Sequence, residues 1–88
     1  MNKILVVEDS PIVTKIIRHM VKQQPALEAV YAANMTQAQE MLMELGGSLF
    51  AALADLNLPD APDGEVVDLL LKHRIPTIVL TGSFDEPR

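Results

Sequence analysis

Two hydrophobic rhythms alternate along this chain. Ile4-Leu5-Val6-Val7 is an unbroken, mostly β-branched apolar run, the pattern of a strand covered on both faces, and it runs straight into Glu8-Asp9. Ser10 offers a helix cap and Pro11 suits a first helical position, so the strand gives way to a helix at once. Ile12, Val13, Ile16, Ile17, Met20 and Val21 then recur at helical spacing, with Thr14, Lys15, Arg18, His19 and Lys22 opposite, predicting an amphipathic helix from about Pro11 to Lys22. Gln23-Gln24-Pro25 ends it. Glu28 to Ala32 is a weaker strand, with Leu27, Val30 and Tyr31 as its bulky members.

The alternation continues. Asn34 and Gln37 have capping-box spacing, Ala38, Met41, Leu42 and Leu45 form a second helical stripe, and Gly46-Gly47 supply a C-terminal stop. Leu49 to Ala54 is a third apolar run, ending in Asp55. Leu56 to Gly64 is dense in turn formers, with cap and turn roles for Asp60 and Asp63. Val66, Val67, Leu70 and Leu71 mark a third helix, where Asp68 and Lys72 can pair. Thr77-Ile78-Val79-Leu80 predicts a fourth buried strand, ending in Thr81-Gly82. The order βαβαβαβ predicts one α/β domain, a doubly wound parallel sheet with right-handed crossovers.

Composition narrows the class. With 88 residues and 49% hydrophobic positions, a packed single domain is expected, short for a complete doubly wound fold. The net charge of −5 argues against nucleic-acid binding, and the lack of cysteine removes disulfides, thiol nucleophiles and cysteine-ligated zinc. No apolar run reaches membrane-spanning length and none resembles a signal peptide, so the expected compartment is the cytoplasm. His19 and His73 lack partners at ligand spacing and are expected at the surface, and the five methionines are expected as core filler.

Glu8, Asp9, Asp55 and Thr81 all fall at the carboxyl ends of strands, where open α/β sheets bind ligands. Three crowded carboxylates repel, and a hard, oxygen-seeking cation such as Mg²⁺ relieves the repulsion while keeping water positions that phosphate oxygens can take. A carboxylate in such a site can act as a nucleophile toward phosphorus. From the residues alone, Asp55 is the expected phosphoacceptor, Glu8 and Asp9 the metal holders, and Thr81 the hydroxyl that reads the phosphate.

Ile4 to Ser10, then Leu53-Ala54-Asp55-Leu56-Asn57-Leu58-Pro59 with Asp63-Gly64, then Ile78 to Gly82 resemble the receiver domain of two-component response regulators, in order along the whole chain. The resemblance implies a flavodoxin-like receiver fold of strand order 2-1-3-4-5. It implies that Asp55 takes a phosphoryl group from a sensor histidine kinase or phosphotransfer protein, that Asp9 and Asp55 ligate Mg²⁺, that Glu8 acts mainly through water, and that Asn57 lends its backbone carbonyl. Thr81 corresponds to the hydroxyl that moves toward the phosphoryl group. The implied role is signalling, not turnover: the domain switches an output domain or partner, with a homodimer as one route.

Two departures accompany the resemblance. The family's fifth strand, with a lysine followed by proline, does not occur before Arg88, so the last helix-strand-helix portion is expected to be missing from residues 1–88 and the sheet to read 2-1-3-4. A continuation of the chain, a partner supplying these elements, or a degenerate receiver acting without phosphorylation would each account for it. Strand four would then be an open edge. The loop from Asp55 to Gly64 is also about one residue longer than the family pattern. A phosphatase of the haloacid dehalogenase type is a further alternative, but it needs a second acid two residues after the nucleophile, where Asn57 stands.

Overall fold

The computed structural model describes residues 2–80. Chain order is β1 (Asn2–Val7), α1 (Pro11–Lys22), β2 (Leu27–Ala32), α2 (Met35–Leu45), a 3₁₀ turn (Gly46–Ser48), β3 (Leu49–Asp55), α3 (Glu65–Lys72) and β4 (Thr77–Leu80). The four strands form one sheet in the order β2-β1-β3-β4, every pair parallel. This is the doubly wound architecture expected from the alternating pattern.

Side-chain alternation along β1 divides the core in two. Leu5 and Val7 join Ala32, Ala38, Leu42, Ala52, Ala54, Val66, Leu70 and Ile75 on the face covered by α2 and α3. Ile4 and Val6 point to the other face, against Ile17 of α1 with Val13, Val21 and Tyr31 around them. Both faces of a central strand are thereby apolar, which is why its sequence shows no polar alternation.

Four local readings change. Gln37 does not close a reciprocal box on Asn34: Asn34 Oδ1 accepts from the Gln37 amide at 2.8 Å, but Gln37 Oε1 accepts from the Ala33 amide at 2.7 Å, one residue earlier. Gly46 is right-handed (φ −39), so the second helix ends by tightening into a 3₁₀ turn and not through a left-handed glycine. Of the methionines, Met35 and Met41 pack against the core, whereas Met20 and Met43 are exposed. β4 is not buried on both faces either. Ile78 is 62% exposed, because among the described residues β4 pairs only with β3 and α1 alone lies over that side of the sheet. No helix among the described residues is long and apolar enough to cross a membrane.

α3 ends just before Ile75-Pro76, where extended structure resumes. Arg74 takes a left-handed conformation (φ 60), its amide donates to the Leu71 carbonyl, and the Ile75 amide donates to the Leu70 carbonyl at 3.0 Å. That is a Schellman ending, sealed by buried Ile75, with arginine where glycine is favoured. Arg74→Gly removes the Cβ strain of about 1–2 kcal/mol and returns part of it as chain entropy. The expected net gain is about 0.5–1 kcal/mol in urea unfolding; a loss would show that the arginine side chain contributes more than its strain costs.

Candidate functional site

Parallel registry assembles the site. Val7 of β1 lies opposite Ala54 of β3, so the next residues, Glu8 and Asp55, emerge side by side at the carboxyl ends of adjacent strands. Glu8, Asp9 and Asp55 each offer a carboxylate oxygen, and the three lie within 4.8 Å of one another. Glu8 and Asp55 are buried and Asp9 is exposed, so one side of the cluster opens to water. Asp9 and Asp55 are thus near enough to share one cation.

Each buried acid is oriented by a nearby amide. The Ser10 amide donates to Glu8 Oε2 at 3.0 Å, and the Asn57 amide donates to Asp55 Oδ1 at 3.0 Å, leaving each carboxylate a second oxygen. Ser10 also caps α1, its Oγ accepting from the Val13 amide at 3.3 Å. The Ser10 amide as a partner for Glu8 was missed in the sequence, although an acid two residues before a helix cap is the signal that finds it. Asp55 pairs in register with Leu80 of β4. Thr81, the expected phosphate-reading hydroxyl, lies outside the described residues. Asn57 is exposed, on the loop directly after β3.

Burial pushes the Glu8 carboxyl above its ordinary value of 4.5, against the Ser10 amide that pulls it down, and repulsion from Asp55 and Asp9 adds to the rise. A carboxylic acid with a raised folded-state pKa behaves oppositely to a salt-bridged one. Its ionisation costs the fold stability, so this contribution worsens as pH rises from 4.5 through the folded value and persists above it. Glu8→Gln is therefore expected to match the wild-type chain in acid and to exceed it in stability at neutral pH in the presence of a chelator. Urea melts at both pH values check this; equal stability at neutral pH would contradict it.

The donor set fits a hard divalent cation. Three carboxylates offer only oxygen, with no nitrogen or sulfur, and few protein ligands with an open, wetted side suit Mg²⁺ better than a full protein cage. They also suit a phosphoryl group, because charge neutralisation at such a site lets an anion approach a carboxylate.

No family model matches the chain. A curated relative, protein-glutamate methylesterase/protein-glutamine glutaminase 2 of Carboxydothermus hydrogenoformans, is 26% identical over 85 residues, which span 96% of this chain and 23% of that protein. Among solved structures, a two-component system response regulator/GGDEF domain protein matches with a TM-score of 0.82 and 36% identity, over 98% of this chain and 34% of that one. The MaeR response regulator bound to beryllium trifluoride matches with a TM-score of 0.80 and 26% identity, over 94% of this chain and 69% of its own. The chain therefore spans about a quarter to a third of the first two proteins and over two thirds of the third. Sheet order and these likenesses together show the flavodoxin-like fold of response regulator receiver domains, and the acid cluster lies at the carboxyl ends of its strands.

Proposed function

We propose that this domain receives a phosphoryl group on Asp55 from a phosphohistidine of a sensor histidine kinase or phosphotransfer protein, and that the modification switches an output domain or a partner. The observation that carries the reading is the meeting of Glu8, Asp9 and Asp55 carboxylates within 4.8 Å at the ends of two strands. Asp9 and Asp55 would hold Mg²⁺ directly, Glu8 mainly through water, and Asn57 through its backbone carbonyl. When bound, the ion neutralises the acids and the incoming phosphoryl oxygens.

The transfer itself balances without an oxidant or reductant. A carboxylate oxygen of Asp55 attacks phosphorus, the N–P bond of the donor breaks, and the departing imidazole keeps the electron pair and takes up a proton. Asn57 holds Oδ1 of Asp55 through its amide, which fixes the carboxylate plane. Thr81, by sequence position just after β4, would hydrogen-bond a phosphoryl oxygen. Added negative charge and acceptor oxygens at Asp55 are the signal. The domain acts as a switch that assists its own modification and not as a turnover enzyme, and it works in the cytoplasm. The response regulator/GGDEF and methylesterase relatives support an output domain on the same gene product.

Incubation with Mg²⁺ and a small phosphoramidate, a donor with the same N–P bond, tests the reading. Intact-mass analysis is expected to show one added phosphoryl group, lost on treatment with hydroxylamine as an acyl phosphate is. A chain that stays unlabelled at saturating donor, while folded and binding Mg²⁺, would overturn it.

A further inference from the structure

The loop between the phosphoacceptor strand and α3 is tied to a helix remote in sequence. Asp60 Oδ1 accepts from the Met35 amide at 2.8 Å, and Asp60 Oδ2 accepts from the Thr36 amide and Thr36 Oγ1 at 3.1 Å each. These amides are among the four at a helix start that lack helical partners, and Asn34 already serves the Gln37 amide. One carboxylate therefore completes the cap of α2 from 25 residues away. On its own loop, Asp60 sits inside a turn whose ends, Leu58 and Ala61, exchange both backbone hydrogen bonds and are buried. The Gly64 amide then closes the loop on the Leu56 carbonyl at 2.9 Å.

The opposite end of the acid site is bonded to the same helix start. The Glu8 amide donates to the Ala32 carbonyl at 2.9 Å, and the next residue, Ala33, donates its amide to Gln37 Oε1 of α2. The strand ends that present Glu8 and Asp55 are thus linked twice, once through the sheet and once through the first turn of α2. We propose that Asp60 is a positioning residue for the acid site: by capping α2 from the loop after Asp55, it holds Leu56 and Asn57 where the Asn57 carbonyl can join the carboxylates around a cation. The proposal rests on the metal-assisted phosphoacceptor reading above and adds a residue to it.

A residue that orients a ligand without touching the ion typically changes metal affinity by about 10–100-fold. Asp60→Ala is expected near the low end, with Mg²⁺ binding weakened about tenfold in calorimetric titration of the whole chain. Asn34→Ala is the control, because it uncaps the same helix without touching the loop; it is expected to lose stability but keep wild-type Mg²⁺ affinity. Asp60→Asn keeps one acceptor oxygen and is expected to fold if alanine does not, with a smaller loss of affinity. Mg²⁺ affinities of the Asp60 variants no weaker than that of Asn34→Ala would overturn the proposal while leaving the phosphoacceptor reading intact. A wild-type chain that binds no Mg²⁺ would overturn that reading, and this inference with it.

Discussion

Asp55→Asn is expected to do two opposite things. It abolishes phosphoryl uptake, because an amide has no anionic oxygen with which to attack phosphorus. It also makes the metal-free domain more stable. Three carboxylates within 4.8 Å repel one another, and two of them are buried, so removing one charge relieves a cost on the order of 1–2 kcal/mol. The asparagine Oδ1 can still accept from the Asn57 amide, so the substitution keeps the local turn. Mg²⁺ reverses the ranking. A ligand that binds only the folded state adds about 2.7 kcal/mol at a hundred times its dissociation constant, and the variant, lacking a direct ligand, gains less. Urea unfolding in a chelator should therefore place Asp55→Asn above wild type, and unfolding in millimolar Mg²⁺ should place it below. Curves that keep the same order in both buffers would contradict the shared-cation geometry, and phosphoryl labelling of the variant at the wild-type level would remove Asp55 as the acceptor.

How far the sequence revealed this arrangement depended on the reach of each interaction. The β1 to α1 junction was legible because all its signals are local: an apolar run, then a capping serine and a proline, and the helix spans Pro11–Lys22 as its periodicity implied. The meeting of Glu8, Asp9 and Asp55 was legible because the βαβ pattern places every strand end on one edge. That Glu8 is buried while Asp9 is exposed was not, since adjacent residues beyond a strand end are sorted only by the turn that follows. Asp60 was readable as a cap or turn residue, but not as the cap of α2, because its partners Met35 and Thr36 come from another part of the chain. β4 misled in the other direction. Its three apolar residues, Ile78, Val79 and Leu80, express affinity for neighbours on both faces, but exposure is set by which neighbours are there, and among the described residues Ile78 and Val79 are left open. Outward-facing Ile12, Ile16 and Met20 on α1 likewise belong to the apolar set by composition and to the surface by position.

Leu58→Ala is expected to be the most damaging single substitution in the loop that carries the site. By sequence, Leu58 lies among turn formers, three residues past Asp55. In the fold it is 1% exposed, in one apolar cluster with Ala61, Val66 and Leu70, so this loop is pinned by the same core that holds α3 to the sheet. Truncating a buried leucine costs about 2–5 kcal/mol, with the high end where the surroundings cannot close the cavity. At roughly 0.05–0.15 kcal/mol per residue, a chain of this length has about 4–13 kcal/mol to lose, so the substitution removes a large share of the whole. Leu56→Ala provides the comparison, since Leu56 is on the same loop but 39% exposed and should cost under about 1 kcal/mol. The difference has a consequence for the acids. Leu58 anchors the turn that places Asp60 against α2, so its truncation loosens both ties of the loop at once, and Mg²⁺ affinity should fall together with stability. Equal midpoints for the two leucine variants in urea would mean that the loop is held by its backbone and by Asp60 alone, with no part played by the core beneath it.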